Sequence, residues 1–422
     1  MSKRVILVAA ALLALIGGQP PASAAGAAQR APRARRPFPQ HVTYARGTIR
    51  PGDFTQAAQD QHVRDFYDRW KRDFVKAVDV EGAGGYRVSF GSTNPARTVS
   101  EGQGYGMVIV ALMAGHDPEA KAIFDGLWRF ARAHPSAIDH DLMTWQVPEV
   151  AGESDSAFDG DADIAYGLLL ADKQWGSKGA VDYKGEAQRV IRAILRSTIG
   201  PRSRLPMLGD WTKPDGSPHN QYTPRSSDLM IDHFRAYRTA TKDRAWAAVV
   251  AACQSVVSSL QRDYSPATGL LPDFIVGAGS APQPAPAGFL EGDHDGHYYY
   301  NALRVPWRLG TDALIHGDAV SLAQVRLLGR WIASSTHGDP HQIWPGYRLD
   351  GTPIGGSFYF TTAFASPFGV AAMTDPALQE FLDATYAAVH DRHQGYYEDS
   401  LTLMSLLVMS GNFWSPAART AH

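Results

Sequence analysis

Residues 100–107 read Ser-Glu-Gly-Gln-Gly-Tyr-Gly-Met, and an apolar run from Met107 to Met113 follows at once. This stretch places one carboxylate, Glu101, at the edge of a predicted glycine-rich turn. Glycine lets the backbone approach a ligand closely and adopt angles closed to other residues, so a carboxyl group there is well placed for proton transfer. The structural alternative is a glutamate at a helix N-terminus that only complements the helix dipole.

A second acidic stretch, 157–165, reads Ala-Phe-Asp-Gly-Asp-Ala-Asp-Ile-Ala. Apolar residues continue after it at helical spacing, and Gly176 fits a C-terminal stop, so we predict an amphipathic helix. One aspartate would suffice to cap this helix and complement its dipole. The three alternating acids Asp159, Asp161 and Asp163 repel one another, which favours a ligand, a cation or neighbouring bases as their partners.

Calcium is excluded at this motif. Asp-x-Asp-x-Asp opens an EF-hand loop, but such a loop also needs glycine at its sixth position and a bidentate glutamate at its twelfth. The chain has Ile164 and Leu170 there. Zinc-protease, serine-hydrolase and phosphate-loop motifs are absent from the sequence, and Asp232-His233 is interpreted as a structural hydrogen-bonded pair. We therefore expect no metal and no cofactor.

Together the two motifs resemble family 8 of the glycoside hydrolases. The stretch 100–107 is similar to the family's general-acid segment, and 157–175 is similar to its signature helix, with Asp159 at the substrate-binding aspartate. Arg304-Val305-Pro306-Trp307-Arg308 is similar to the family's Arg-x-Pro-Trp-Arg segment. The resemblance covers residues 50–414. It implies an all-α fold, an (α/α)6 barrel, and inverting hydrolysis of a β-1,4-linked polysaccharide.

Inverting hydrolysis requires two carboxyl groups about 6.5–9.5 Å apart, one to protonate the departing glycosidic oxygen and one to activate water on the opposite face of the sugar. The resemblance makes Glu101 the general acid. Many family members carry aspartate three residues before the first arginine of Arg-x-Pro-Trp-Arg, but this chain has Asn301. A neutral amide cannot take a proton from water, so the base comes from elsewhere or the protein is not a catalyst.

The loop upstream of this asparagine carries candidate bases. Residues 277–288 form a Pro/Gly segment without helical pattern, and Phe-Leu-Glu-Gly-Asp-His-Asp-Gly follows at 289–296. The chain resembles the subgroup of family 8 that has asparagine at this site and takes its base from such an insertion, a subgroup that includes chitosanases and β-glucanases. Glu291 fits this resemblance best. Asp293 and Asp295 remain alternatives, and the whole loop could instead be a solvated acidic segment.

Aromatic residues in the loops are candidate sugar platforms, because rigid aromatic planes cover the apolar C–H faces of sugar rings. The alternative for each is that it only fills the core. With Asp159, the expected substrate-binding residues are Trp145, Asn301, Arg304 and Tyr359. Further candidate platforms are Tyr222, Trp344, Tyr347, Tyr396 and Tyr397.

Helical periodicity dominates the chain after the first fifty residues, with clear apolar stripes at 63–74, 123–131, 187–194 and 246–260. Cys253, the single cysteine, lies in the last stripe and is interpreted as a small buried hydrophobe. Period-two alternation is scarce, so no large sheet is expected. No break in composition divides residues 50–414, and we therefore predict one catalytic domain there, with a tail over 415–422.

The N-terminal residues match the pattern of a secretory signal. A charged start and an apolar segment at 5–16 precede the small-residue cleavage site Ala22-Ser23-Ala24. We therefore predict a signal peptide over 1–24, followed by a solvated Ala/Pro/Arg-rich linker over 25–49. The expected protein is secreted, either extracellular or periplasmic.

The charge balance narrows the expected partners. The formal net charge is −2, from 40 Lys and Arg against 42 Asp and Glu, which leaves no electrostatic footprint for nucleic acid. No segment after the signal is apolar for long enough to span a membrane. We expect a monomer whose partner is its polysaccharide. Two competing hypotheses are a non-catalytic carbohydrate-binding protein on the same scaffold and a polysaccharide lyase, although the Glu101 segment argues against a lyase.

Overall fold

Twelve α-helices alternate between two layers along residues 33–417, the part of the chain that this computed structural model describes. The odd-numbered helices form the outer layer, and each buries one face. The stripes predicted at 63–74, 123–131, 187–194 and 246–260 are the buried faces of the first four, which confirms them. The outer helices are α1 Gln56–Phe74, α3 Ala120–Ala133, α5 Tyr183–Ser197, α7 Ala245–Asp263, α9 Ala319–Ser335 and α11 Gln379–Val389.

The even-numbered helices are buried almost all round, apart from residues 238–241, and several of them bury charged side chains. Each packs against the next even-numbered helix, and the last returns to the first, so the six close into a ring. This arrangement is the (α/α)6 barrel that the resemblance implied. The inner helices are α2 Ser100–Leu112, α4 Phe158–Trp175, α6 Ile231–Thr241, α8 Val305–His316, α10 Thr362–Ala372 and α12 Tyr396–Met409.

Strands play a small part in the described chain. They form three antiparallel pairs of two strands each, so the expectation that no large sheet forms is confirmed for residues 33–417. The pairs are β1 Val75–Val80 with β2 Ala83–Val88, β3 Thr98–Val99 with β4 Gln146–Val147, and β5 Ile275–Val276 with β6 Gln283–Pro284.

The glycine-rich stretch 100–107 is not the turn that its composition predicted, because it forms the first two turns of α2. Its glycines serve close packing rather than unusual backbone angles. A Cβ atom on Gly104 would lie 2.7 Å from the Cβ of Asp163 and 2.9 Å from the carbonyl oxygen of Gly160, both on α4. The absence of side chains therefore lets α2 and α4 approach closely, which brings their N-terminal ends together.

The second motif forms the predicted helix, but this helix is not amphipathic, because nearly all of its residues are buried. The helix α4 ends at Trp175, and Gly176 follows with φ of 74°, a left-handed angle that glycine adopts without strain. Cys253 is fully buried in α7. The predicted stop at Gly176 and the predicted burial of Cys253 are confirmed.

The segment 33–49 differs from the solvated linker predicted over 25–49. The side chain of Phe38 is buried, and its N–H donates to the carbonyl of Ala114 at 2.7 Å. The guanidinium of Arg36 lies 4.3 Å from the ring centroid of Trp414. Because two aromatic residues of the segment, Phe38 and Tyr44, bury apolar surface against the barrel, the segment packs in spite of its Ala/Pro/Arg composition.

Two of the predictions concern the ends of the chain, the signal peptide and the C-terminal tail. The predicted signal peptide, 1–24, lies outside the described residues. Of the predicted tail, 415–417 are described, and Ser415 and Pro416 are buried instead of frayed. Within residues 33–417, no helix is both long enough and apolar enough to cross a membrane.

Candidate active site

Four inner helices begin at one end of the barrel, and each places a side chain from its start in a common cleft. Glu101 lies in the first turn of α2, Asp159 in the first turn of α4, Arg304 immediately before α8, and Tyr396 at the start of α12. Helix N-termini favour negative charge, which suits an arrangement rich in carboxylates.

Six of the seven predicted site residues line this cleft, and the seventh lies at its edge. The phenol oxygen of Tyr359 is 2.8 Å from that of Tyr300, which is a lining residue. The structure thus brings together residues that are more than two hundred positions apart in sequence. The six lining residues are Glu101, Trp145, Asp159, Glu291, Asn301 and Arg304. Their roles stay predictions.

Arg304 connects the polar groups of the cleft. Its Nη1 donates to Oε2 of Glu101 at 2.7 Å and to Oδ2 of Asp159 at 2.8 Å. Its Nη2 donates to Oδ1 of Asn301 at 3.0 Å. The arginine is only 1% exposed, and a guanidinium stays charged at any working pH. A permanent positive charge is therefore fixed between two carboxyl groups.

Glu101 and Asp159 differ in protonation although they share Arg304. Burial raises the pKa of Glu101 to about 7, more than Arg304 lowers it, and the charge on Asp159 raises it further. Burial also raises the pKa of Asp159, but Arg225 and Arg304 outweigh that effect and hold it below its usual range. Two neighbouring carboxyl groups whose pKa values are driven apart can supply one proton donor and one fixed negative charge.

Glu291 is the only one of the three loop acids that lines the cleft. Its side chain is 49% exposed, and its two carboxylate oxygens accept from Nη2 of Arg225 at 3.1 Å and from Nδ2 of Asn301 at 2.8 Å. Asp293 is exposed on the loop outside the cleft. The carboxylate of Asp295 is buried and accepts backbone N–H groups, so it is occupied in shaping the loop.

The side chain of Asn301 lies between Glu291 and Arg304 in the cleft. Its amide nitrogen faces Glu291 and its amide oxygen faces Arg304. A continuous chain of hydrogen bonds therefore runs from Glu101 through Arg304 and Asn301 to Glu291. Such a chain fixes the positions of the Glu101 and Glu291 carboxyl groups relative to each other.

The three aspartates of α4 have three different partners. Asp163 pairs with Arg308 at 2.6 Å and with His233 at 2.7 Å. Burial opposes its ionisation, but these two partners outweigh burial and lower its pKa to about 2. Asp161 accepts the N–H of Met143 at 2.8 Å, and burial raises its pKa well above the usual range. The sequence left a ligand, a cation or neighbouring bases as possible partners of these acids. The partners found for Asp159 and Asp163 are neighbouring basic side chains.

The predicted hydrogen-bonded pair Asp232-His233 is wrong in its partners. His233 bonds to Asp163 instead, whereas Asp232 bonds to Nε2 of His316 at 2.6 Å and to the hydroxyl of Tyr166 at 2.6 Å. The reason is that successive residues of a helix do not face each other. No group of three or more His, Cys, Asp or Glu side chains within residues 33–417 is arranged to hold a metal ion.

Aromatic side chains line the cleft and continue beyond it, and together they form an aromatic groove. Trp145 lines the cleft and also the adjoining depression that contains Trp211. Tyr300 lines the cleft, and its hydroxyl contacts that of Tyr359, which is 51% exposed and follows Phe358, which is 63% exposed. Flat aromatic surfaces next to the carboxyl groups suit the binding of a sugar chain.

The remaining candidate platforms fall into separate groups. Tyr347 is buried in the core, and Tyr396 is buried with its hydroxyl 3.3 Å from Oε1 of Glu101. Tyr397 lines the cleft, and its hydroxyl donates to the carbonyl of Tyr300 at 2.7 Å. Tyr222 lines a different depression, and Trp344 packs edge-on against Phe358.

Two residues that hold the site were missed at sequence level. Arg225 pairs with both Asp159 and Glu291, and buried Asp273 accepts three backbone N–H groups around Asn301. Both follow a proline in segments without periodicity, where no pattern marks a position as buried. The one available signal is the excess of acids at the start of α4, which calls for more cations than Arg304 and Arg308 supply.

Comparison with known proteins agrees with this architecture. The family model described as Glycosyl hydrolases family 8 matches residues 52–411. The chain is 43% identical over 385 residues to a protein named Beta-glucanase from Niallia circulans, with 90% of this chain and 91% of the relative covered. It is 39% identical over 390 residues to a protein named Endoglucanase from Bacillus sp. strain KSM-330, with 90% of this chain and 82% of the relative covered. Among solved structures, a Beta-1,3-1,4-glucanase from Paenibacillus sp. X4 matches with a TM-score of 0.85 and 42% identity, over 90% of this chain and 99% of that one.

Proposed function

Because the chain belongs to family 8 of the glycosyl hydrolases and is a glycoside hydrolase, we propose that it cleaves β-1,4 bonds inside β-glucan chains, with mixed-linkage β-1,3-1,4-glucan and cellulose as substrates. The observation that carries the proposal is the hydrogen-bonded chain from Glu101 to Glu291. It joins a carboxyl group of raised pKa to a second, accessible carboxyl group across one cleft. The names of the relatives support a glucan over other polysaccharides.

The names of the relatives and the aromatic groove both support endo action. Aromatic side chains continue beyond the residues that line the cleft, at Trp211 and at Tyr359. A sugar chain longer than the cleft can therefore keep contact with the protein outside it.

The proposed mechanism uses one proton donor and one proton acceptor. Glu101 protonates the departing glycosidic oxygen, because its raised pKa keeps the proton available near neutral pH. Asp159 stays ionised and stabilises the positive charge that develops on the sugar ring. Glu291 takes the proton from the attacking water while Asn301 orients that water by hydrogen bonding. The chain would then belong to the subgroup of the family with asparagine in place of the usual aspartate base.

Chitosan is the second candidate substrate. Beyond Trp145 the groove is lined by Glu153 and Asp155 as well as Glu291. Burial, together with the charges on Asp210 and Glu153, raises the pKa of Asp155 to about 6. An acidic lining attracts the cationic glucosamine units of chitosan, whereas a neutral glucan needs only the aromatic surfaces.

A substrate panel tests the proposed function. We expect release of reducing ends from mixed-linkage β-glucan and carboxymethylcellulose, with a fall in viscosity that precedes most of that release, because internal cuts shorten chains fastest. Laminarin, a β-1,3-glucan, serves as the negative control and chitosan as the test of the second candidate. Ultraviolet-absorbing unsaturated products would show a lyase instead. Polymer binding without any new reducing ends would show a non-catalytic binding protein.

The reaction is expected to invert the anomeric carbon. A base that acts through water delivers the hydroxyl group to the face opposite the leaving group. Proton NMR of the first products from a β-glucan should therefore show the α-anomer before mutarotation. An initial β-anomer would mean a covalent intermediate and would rule out Glu291 as a base acting on water in that step.

We propose that the protein is exported and acts as a monomer on polysaccharide outside the cell. The proposal rests on the signal pattern over 1–24. N-terminal sequencing of protein recovered from the culture medium should begin at Ala25. A chain that stays in the cytoplasm at full length would contradict it.

A further inference from the structure

Two buried aspartates, Asp295 in the loop that carries Glu291 and Asp273 in the neighbouring segment, lie outside the cleft itself. Asp273 and Asp295 are each 3% exposed, and neither lines the cleft. Both carboxylates accept hydrogen bonds from the backbone. Neither residue has a role in the proposed mechanism, so a separate explanation is needed for two buried acids at this place.

Asp295 shapes the turn that presents Glu291. Its carboxylate accepts the N–H groups of three successive residues, Leu290 at 2.6 Å, Glu291 at 3.1 Å and Gly292 at 3.0 Å. The turn is closed by the N–H of Gly288, which donates to the carbonyl of Gly292 at 2.8 Å. The backbone of Glu291 is therefore held at its own N–H and at both neighbours, although its side chain is half exposed.

Asp273 holds the backbone around Asn301, the residue that faces Glu291, in a similar way. Its carboxylate accepts the N–H groups of Tyr299 at 2.9 Å, Asn301 at 3.1 Å and Ala302 at 2.6 Å. The side-chain amide of Asn301 also donates to it, at 3.3 Å. This contact directs the amide nitrogen away from Arg304, so that the same nitrogen reaches Glu291 and the amide oxygen accepts from Arg304.

The two aspartates are joined through the backbone. The N–H of Asp273 donates to the carbonyl of His297 at 2.7 Å, and the N–H of Phe274 donates to the carbonyl of Asp295 at 2.8 Å. The turn around Glu291 and the segment around Asn301 are thus tied to one short piece of chain. A displacement of either aspartate would be transmitted to both sides of the Glu291–Asn301 contact.

We propose that Asp273 and Asp295 form a clamp that positions the Glu291 carboxylate against the Asn301 amide, and that both are positioning residues for the attack of water. The inference rests on the proposed role of Glu291 as the base. Its physical reason is that a misplacement of about 1 Å between reacting groups costs about 10²-fold in rate. The alternative is that both acids only satisfy buried N–H groups, with no effect on catalysis beyond loss of folded protein.

The substitution Asp295→Asn tests the clamp. An amide has one accepting oxygen where the carboxylate has two, so at least one of the three N–H bonds is lost. We expect kcat on mixed-linkage β-glucan to fall by about 10- to 100-fold with KM nearly unchanged, because the aromatic groove is untouched. Asp293→Asn is the matched control, since it removes the same charge from an exposed position of the same loop, and it should leave kcat unchanged.

A double-mutant cycle separates positioning from mere folding. In a Glu291→Ala background, the rate supported by added azide should not fall further on Asp295→Asn, because the clamp acts through the carboxylate that is already absent. A second loss of similar size would overturn the clamp, since it would show a general structural effect. Thermal unfolding checks that each variant is folded. If Asp295→Asn does not fold, Asp273→Asn carries the same cycle and the same expectation.

The outcomes also distinguish this inference from the proposed function. Full activity of Asp295→Asn beside an inactive Glu291→Ala would overturn the clamp and leave the base assignment standing. Full activity of Glu291→Ala would overturn the base assignment, and the clamp with it.

Discussion

Glu101→Gln is expected to lower the rate of polymer hydrolysis by about 10²- to 10⁴-fold, the usual contribution of a general acid, while the fold and polymer binding are kept. Glutamine has nearly the shape of glutamic acid and still accepts from Arg304, which donates at 2.7 Å in the native protein. It cannot give a proton to the departing oxygen. The measurement is kcat on mixed-linkage β-glucan, with binding followed separately by affinity electrophoresis.

The same residue predicts the alkaline side of the pH profile. The pKa of Glu101 is raised to about 7, so the acid is protonated below that pH and loses its proton above it. Activity of the wild type should therefore fall as the pH rises through about 7. In the glutamine variant, the residual activity should lose this dependence, because no titrating proton remains at that position.

A matched control exists for this substitution. Glu380 also lies in the first turn of a helix, α11, but on the exposed outer layer. Glu380→Gln makes the same chemical change far from the cleft and should leave kcat unchanged. Near wild-type turnover of Glu101→Gln on an unactivated polymer would remove Glu101 from the mechanism.

Glu291→Ala is expected to lower the rate of hydrolysis by a similar factor, whereas Asn301→Ala should lower it less. Glu291 is the loop acid that lines the cleft, and a carboxylate can take a proton from water, while the amide of Asn301 can only orient water or substrate. Loss of a general base costs about 10²- to 10⁴-fold. The measurement is kcat for both variants on the same glucan.

Addition of azide distinguishes the loss of the general base from the loss of the general acid. A small anionic nucleophile needs no base, so azide should partly restore Glu291→Ala and yield an α-glycosyl azide, detectable by mass spectrometry and NMR. It should not restore Glu101→Gln on a natural polymer, whose leaving group still needs a proton. If Asp293→Ala loses activity while Glu291→Ala keeps it, the base is a different acid of the same loop.

If all the loop acids can be replaced without loss, the base must be sought near Asp159. Asp228 is the acid to examine next. It is fully buried, and neither of its carboxylate oxygens has a hydrogen-bond partner among the described residues. Burial raises its pKa to about 7, more than Arg225 lowers it.

Four outer helices were predictable from the sequence because their apolar stripes repeat at a fixed spacing. The inner layer has no such stripe, since its helices are buried nearly all round, and its ring arrangement was implied only by the family resemblance. The glycines of 100–107 were misinterpreted as a turn for a physical reason. Glycine is favoured where the backbone turns and equally where two helices touch, and a single sequence does not separate these causes. Only the position of Asp163 opposite Gly104 shows that close packing applies here.

The site residues that belong to a sequence motif were predictable, whereas those that lie in irregular segments outside any motif were not. Glu101, Asp159 and Arg304 lie at helix starts, and the family resemblance identified each of them. Arg225 and Asp273 lie in irregular segments, where burial depends on how distant parts of the chain meet. Glu291 stands between these cases. The resemblance favoured it over the other loop acids, and the fold adds that its carboxylate lines the cleft whereas that of Asp295 accepts backbone N–H groups.

The segment 33–49, at the N-terminal end of the described chain, packs against the C-terminal end of the last helix. The N–H of Val42 donates to the carbonyl of Gly411 at 2.7 Å, and the hydroxyl of Tyr44 donates to the carbonyl of Val408 at 3.0 Å. A fragment that ends before α12 therefore lacks both the last helix of the ring and the partners of Val42 and Tyr44. During synthesis the ring cannot close until its final helix has left the ribosome.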